Sequence, residues 1–106
     1  MIRTQIPGLR LPPQHLESEQ ALLGSIMLRT ESLYDISDIL QPKSFYAEKH
    51  RVIFEAMLDL HRKHEPIDLL TLATRLEEKG QLDNIGGRAY LAELASSVPS
   101  SANAKY

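Results

Sequence analysis

The feature that most constrains this chain is the close succession of helix-start and helix-stop residues between positions 65 and 103. Pro66 is excluded from a helix interior, and the Asp68 side chain is a good acceptor for the first free amides of a helix that begins at Leu69. Gly80 predicts the end of that helix. The apolar residues between these limits recur at helical spacing: Leu69, Leu72, Ala73 and Leu76. This stretch therefore predicts short helices joined by tight turns.

Two more helices are predicted after Gly80. Gly86 and Gly87 open the first of them, and the run VPS at 98–100 closes it and caps the second. The inward positions of the helix after Gly87 are Tyr90, Leu91, Leu94 and Ala95. Amides at a helix start can hold an anion, but here no strand precedes the glycine pair and no lysine follows closely in the helix. We interpret the pair as a tight turn with unusual backbone angles.

Three helices are predicted upstream. The first spans about 17–28, the second runs from a Thr30 cap to Pro42, and the third and longest spans about 47–62. The inward positions are Leu22, Leu23, Ile26 and Met27 in the first helix, Leu33, Ile36, Ile39 and Leu40 in the second, and Ile53, Phe54, Ala56, Met57, Leu58 and Leu60 in the third. No segment alternates convincingly as a strand. We therefore predict an all-α fold, a compact orthogonal bundle of about five to six short helices.

Composition limits the class of protein. The chain of 106 residues is one domain, with 1–14 predicted as a flexible arm because of its prolines and 15–106 as the helical domain. Twelve basic against fourteen acidic residues give a net charge of -2, which disfavours direct binding to nucleic acid. Cysteine is absent, so disulfides and thiolate metal sites are excluded. No apolar run approaches the ~20 residues that cross a bilayer, which makes the cytoplasm the expected compartment.

The sequence offers no residue that we assign to catalysis. The phosphate-binding pattern GxxxxGK[ST] is absent. His61 and His64 lie three residues apart beside Glu65, and the only further candidate metal ligand is His50. Positive groups at the negative end of a helix dipole explain this cluster better than a metal site does. Two carboxylate pairs are interpreted as solvated helix faces: Glu77 with Glu78, and Asp35 with Asp38. We predict no catalytic residue, cofactor or metal in this chain.

A small helix-turn-helix DNA-binding regulator is the alternative function. The helix from Leu69, the turn at Gly80 and the helix after Gly87 supply the required geometry. The second of these helices carries Arg88 but also Glu93, with alanines between them, which is poor chemistry for contacting base edges.

Several motifs in order along the chain carry a resemblance to a known family. They are LPPQHLESEQALLGSIML, FYAEKHRVIFEAMLDL, PIDLLTLA, EKGQLDNIGG and AYLAELASSVPSSAN. Together they closely resemble the N-terminal domain of bacterial replicative DNA helicases of the DnaB family, from about residue 11 to the end of the chain. His15 departs from the pattern, because relatives often have a better helix-capping residue there. Arg88 replaces a bulky apolar residue common in relatives, which argues against an apolar contact between subunits at that position.

The resemblance implies an assembly and docking domain that is not itself an enzyme. In the family, this domain forms a collar above the ATPase ring, helps to organise six subunits, commonly as a trimer of dimers, and contributes to binding primase. A helicase loader is a further candidate partner. ATP, Mg and the DNA-translocating loops belong to a separate C-terminal motor domain. The parent protein is therefore expected to be an ATP-dependent DNA helicase of chromosome replication.

The candidate interface residues are four tyrosines and one arginine. A phenol can lie half-buried with its hydroxyl in water, which suggests Tyr34, Tyr46 and Tyr90, although all three could equally be peripheral core residues. Tyr106 lies in the last predicted helix, which in the family leads into a helical hairpin that pairs between subunits. The abrupt end at Tyr106 suggests a piece truncated at the start of that hairpin, so we expect a monomer or weak dimer, not a hexamer. Arg88 completes the set.

Overall fold

The computed structural model describes residues 16–97, which form five α-helices and two short 3-10 helices. The α-helices are α1 (Leu16–Leu28), α2 (Ser32–Ile36), α3 (Glu48–Arg62), α4 (Leu69–Glu78) and α5 (Gly87–Ser96). The 3-10 helices Pro42–Ser44 and Asp83–Ile85 precede α3 and α5. The described residues contain no strand, and the all-α prediction is confirmed. The predicted N-terminal arm, His15, the turn at 98–100 and Tyr106 lie outside the described residues.

The longest helix, α3, lies at the centre of the bundle. It contacts α1, α4 and both 3-10 helices, while α5 packs against α1 and α4. Its predicted apolar stripe is confirmed, because the following residues are buried: Ile53, Phe54, Ala56, Met57 and Leu60. Leu58 is partly buried against the same core. An apolar surface wider than one narrow stripe fits a helix that is contacted from more than one side.

Both ends of α4 follow from single residues in the sequence. The Asp68 side chain accepts a hydrogen bond from the Thr71 amide at 2.8 Å, as predicted for a helix cap. At the other end, Gly80 adopts a φ of +70°, which lets the Gln81 amide donate to the Leu76 carbonyl at 2.8 Å. This closure satisfies a carbonyl that the end of the helix would leave free.

The Gly86-Gly87 turn requires glycine at its first position for two reasons. Gly86 has a φ of +106° and Gly87 a φ of +74°, both in the region that side chains rarely adopt. A Cβ atom on Gly86 would also lie 2.8 Å from the Cβ of Tyr90. The backbone at Gly86 therefore lies directly against the Cβ of Tyr90, one turn into α5. The prediction of a tight turn is confirmed.

The second helix differs from its prediction. We expected it to run from a Thr30 cap to Pro42, but α2 ends at Ile36 and its start has no side-chain cap. Ile36 and Leu40 are partly buried against the core, whereas Ile39 is 78% exposed. The inward assignment of Ile39 was wrong, because helical spacing no longer predicts which side a residue faces once the helix has stopped.

Candidate protein-interaction surface

One end of the molecule exposes large apolar side chains after the core is filled. Tyr34 in α2 is 62% exposed, and its ring meets the His61 ring edge-on, with 4.6 Å between the ring centroids. This contact places α2, which follows the end of α1, beside the end of α3. We call this end, where α1 and α3 end and α4 begins, the apolar end. Its exposed apolar residues are Leu28, Tyr34, Leu69 and Leu70.

A shallow hollow of about 280 Å³ lies within the apolar end. Its lining residues are Thr30, Tyr34, His61, His64, Glu65 and Pro66. Pro66 belongs to the short connection from α3 to α4, so the first turn of α4, with Leu69 and Leu70, starts at the same end. Exposed apolar residues around a hollow are more typical of a protein contact than of a reaction site.

Tyr46 lies at the opposite end of α3, just before the helix starts. It is 37% exposed, and its backbone is held on both sides. The Tyr46 amide donates to the Glu19 carboxylate at 2.6 Å, and its carbonyl accepts from Arg51 at 3.2 Å. Tyr46 and Tyr34 therefore belong to different surfaces of the domain.

Buried polar side chains join three helices near Tyr46. His50 of α3 is 1% exposed; its Nδ1 lies 2.7 Å from a Glu19 oxygen and its Nε2 lies 2.6 Å from the Tyr90 hydroxyl. The same hydroxyl accepts from the Gln20 amide at 3.1 Å. We call this group of Glu19, Gln20, His50 and Tyr90 the polar junction, and it ties α1, α3 and α5 together.

Tyr90, predicted as an interface candidate, is used inside the domain. It is 8% exposed, its hydroxyl belongs to the polar junction, and the Lys49 ammonium lies 4.0 Å from the ring centroid. The structure thus places Tyr90 among the core residues. A tyrosine that is buried with its hydroxyl satisfied adds little exposed surface to a partner contact.

The roles of Glu19 and His50 were missed at the level of sequence. Glu19 was interpreted through the helix dipole, and His50 was considered only as a distant metal ligand. One signal was present, because His50 lies three residues before Ile53 and four before Phe54 and so shares the buried face of α3. A histidine on such a face is expected to need a buried partner.

The remaining predicted residue, Arg88, lies at the start of α5 and is half exposed. Its guanidinium is 3.6 Å from a Glu77 oxygen, which links α5 to α4 across the surface. All five arginines within residues 16–97 lie in ion pairs: Arg29 with Glu31, Arg51 with Glu48, Arg62 with Asp59, Arg75 with Asp59 and Glu78, and Arg88 with Glu77. Arginines already paired with carboxylates do not form the free basic face that phosphate binding needs, which weighs against the helix-turn-helix alternative.

Asp59 is the centre of the ion pairs that connect α3 and α4. Its carboxylate accepts from Arg62 at 2.8 Å, Arg75 at 3.2 Å and Lys79 at 3.1 Å. Burial by itself would raise the pKa of Asp59, but the hydrogen bonds from Lys79 and Arg75 outweigh it and hold that pKa below its usual value. These ion pairs join α3 to α4.

Two further properties of the described residues bear on function. Within 16–97, no group of three or more histidine, cysteine, aspartate or glutamate side chains is placed to hold a metal ion. Of the helices described, none has the length and apolarity needed to cross a membrane.

Comparison with protein families gives a match over almost the whole chain. The family described as the DnaB-like helicase N terminal domain matches residues 11–106. The replicative DNA helicase DnaB of Geobacillus stearothermophilus is 46% identical over 97 residues, which cover 92% of this chain and 21% of that protein. The replicative DNA helicase DnaC of Bacillus subtilis strain 168 is 44% identical over 103 residues, which cover 97% of this chain and 23% of that protein.

A solved structure agrees with the sequence comparison. The crystal structure of the N-terminal domain of DnaB helicase from Mycobacterium tuberculosis has a TM-score of 0.79 and 41% sequence identity to this chain. The similarity covers 88% of this chain and 65% of that one. The chain spans about a fifth of the length of the helicases it matches.

Proposed function

Because the chain belongs to the DnaB-like helicase N-terminal domain family, we propose that it is the assembly and docking domain of a bacterial replicative DNA helicase. The observation that carries this proposal is the family match over residues 11–106, together with the similarity in fold to a helicase N-terminal domain. In this proposal the chain contributes contacts within the replication machinery. Self-association and binding of DNA primase are its main activities, and a helicase loader is a further partner.

The apolar end supports docking as the activity of this domain. Tyr34 is 62% exposed and lines the hollow, which a partner side chain could enter. Leu70, in the first turn of α4 shortly after the lining residue Pro66, is 68% exposed. An exposed aromatic residue next to a hollow is the arrangement from which strongly contributing interface residues are drawn. The polar junction, by contrast, already satisfies its polar groups internally.

We place ATP hydrolysis, Mg binding and DNA translocation in a C-terminal motor domain of the parent protein. The absence of a GxxxxGK[ST] pattern in these 106 residues and the pairing of the described arginines support this division. Purified chain is expected neither to hydrolyse ATP nor to retard duplex DNA in a gel at low salt. Nucleotide turnover that remains after removal of contaminants would contradict the division, and tight, steeply salt-dependent DNA binding would favour the helix-turn-helix regulator.

Primase docking is tested by calorimetric titration of the chain with DNA primase from the same bacterium. Replacing Tyr34 and Leu70 together by alanine is expected to weaken binding about tenfold or more, since two exposed contact residues are lost. The matched control is Tyr46→Ala, which removes an exposed tyrosine from the opposite end and should leave affinity within about threefold. If Tyr46→Ala abolishes binding while the double variant binds normally, the docking surface lies at the start of α3, near the polar junction. If none of these proteins binds at about 100 μM, the docking proposal is wrong.

Self-association is tested by light scattering over a concentration series. We expect the purified chain to be a monomer or a weak dimer. A stable hexamer at micromolar concentration would contradict this expectation and would mean that the described bundle assembles by itself.

A further inference from the structure

The polar junction contains the buried acidic side chain and the buried imidazole of the described core. Among residues 16–97, Glu19 at 4% exposure and His50 at 1% are the buried side chains of polar or charged type. Docking at the apolar end, on the far side of α3, does not use them. A buried carboxylate and imidazole are costly to desolvate, so their hydrogen bonds determine which protonation states the fold accepts.

For an ionised Glu19 and a neutral His50 imidazole, the partners determine the direction of each hydrogen bond in the junction. Glu19 accepts from the Tyr46 amide at 2.6 Å and the Ala47 amide at 3.4 Å, so its oxygens act as acceptors toward His50 as well. The His50 Nδ1 therefore carries the proton and donates to Glu19 at 2.7 Å. In a neutral imidazole the other nitrogen can only accept, so Nε2 receives the proton of the Tyr90 hydroxyl.

The chain of donors continues to the surface of α1. The Tyr90 oxygen, having given its proton to His50, accepts from the Gln20 amide at 3.1 Å. Gln20 is half-buried, and its backbone carbonyl lies 3.3 Å from the Ser97 hydroxyl just beyond α5, which also donates to the Leu94 carbonyl at 2.8 Å. The direction of donation is thus Gln20 to Tyr90 to His50 to Glu19, from the α1–α5 seam to the interior.

A second proton on His50 is incompatible with this direction. When Nε2 gains a proton from solvent, it becomes a donor and faces, at 2.6 Å, a hydroxyl that is itself donating. The Tyr90 hydroxyl must then rotate and find a new acceptor, and the nearest group able to become one is Gln20, by presenting its amide oxygen in place of its nitrogen.

We propose that His50 is a proton-dependent switch that reverses the hydrogen bonds of the polar junction and so changes the side chain that Gln20 presents at the α1–α5 seam. The charged and titratable groups that face it are Glu19 from α1, Tyr90 from α5, and Lys49 of α3 over the Tyr90 ring. Histidine is the side chain type whose ordinary charge change falls between about pH 5 and 8, so a switch built on an imidazole is tested in that range.

The test is a nitrogen-15 NMR titration between about pH 5 and 8. It uses the chain with His15, His61 and His64 replaced by glutamine, so that His50 is its only histidine. At the upper pH we expect the imidazole proton on Nδ1 of His50 and none on Nε2. On acidification the second proton should appear on Nε2, and the side-chain amide resonance of Gln20 should shift with the same midpoint.

Tyr90→Phe provides the discriminating variant, because it removes one oxygen and retains the ring and its packing. In this variant His50 should still gain its second proton, but the shift of the Gln20 amide should be lost. The proposal is overturned if Gln20 still follows His50 without the hydroxyl, or if Gln20 does not respond in the parent chain. It is also overturned if neutral His50 carries its proton on Nε2, or if His50 stays neutral until the protein unfolds.

Discussion

The polar junction and the apolar end lie at opposite ends of α3. The first buries polar side chains, and the second exposes apolar ones. At the junction, Glu19 and His50 are almost completely buried, and each polar atom named there has a partner within the domain. At the apolar end, Tyr34 and Leu70 keep most of their surface in water. The comparison teaches that internal stability and external binding are separated along one helix, so substitutions should affect one property without the other.

The largest expected effect is at Glu19. Replacing it by alanine leaves the amides of Tyr46 and Ala47 and the Nδ1 proton of His50 without their acceptor. We expect a loss of about 3 kcal/mol in the free energy of unfolding, measured with urea. The control is Glu17→Ala, an exposed carboxylate on the same helix, which should cost no more than about 0.5 kcal/mol. Equal losses in the two variants would show that the junction does not stabilise the domain.

The turn before α5 gives the next largest effect, because it positions Tyr90 for the junction. Gly86→Ala adds a Cβ 2.8 Å from that of Tyr90 at a φ of +106°, and we expect a loss of about 2 kcal/mol. Gly80→Ala is the matched control, with a φ of +70° and open space around the new Cβ. It should cost about 1 kcal/mol for the backbone angle alone. Thermal unfolding of both variants measures the difference, and a larger loss at Gly80 would contradict the close contact with Tyr90.

A smaller, pH-dependent effect on stability is expected at Asp59, in the last turn of α3. Burial raises the pKa of Asp59, but the bonds to Lys79 and Arg75 lower it more, so the folded pKa lies below the ordinary value of 3.8. The folded carboxylate thus binds its proton less tightly than the unfolded one. Its stabilisation is present above that value and is lost as the pH falls through 3.8 toward the folded pKa.

The experiment compares urea unfolding of the parent chain and Asp59→Asn at several pH values. At pH near 7 the variant should lose about 1 kcal/mol, and the difference should shrink below about pH 4. Asp35→Asn, which changes an exposed aspartate of α2, serves as the control and should show no such difference. A gap between parent and Asp59→Asn that stays constant down to acid pH would refute the assignment.

The smallest effect on stability is expected at the apolar end. Leu70→Ala should change the free energy of unfolding by less than about 0.5 kcal/mol, because its side chain is 68% exposed. Leu72→Ala, two residues along the same helix but fully buried, should cost about 3 kcal/mol. If Leu70→Ala proves as costly as Leu72→Ala, the residue is part of the core and the apolar end is not a free surface.

Local residue patterns predicted the helices that have clear boundaries. The Asp68 cap, the Gly80 stop and the stripe on α3 rest on interactions within a few residues, and each is confirmed. The same reasoning failed between Thr30 and Pro42, where α2 stops at Ile36. In that segment no strong stop residue marks the end, and packing decides which side chains turn inward.

The candidate surface was predicted only in part, for a related reason. Sequence alone selected Tyr34, Tyr46 and Tyr90 as equivalent, but they differ in the structure. Tyr34 is exposed at the apolar end, Tyr46 lies at the other end, and Tyr90 is buried against His50. Side chains in contact at the junction are separated by 31 to 70 positions in the chain, so no local pattern could pair them.

By itself, the sequence determined the fold class, both ends of α4 and the family, because these depend on short-range spacing and on motifs that occur in a fixed order. Only the tertiary structure decided which polar residues are buried together and which apolar residues remain exposed. The buried polar group depends on how α1, α3 and α5 meet, and the exposed apolar residues depend on how α2 and α4 lie beside the end of α3. Burial and hydrogen-bond partners are properties of packed helices and not of any one of them.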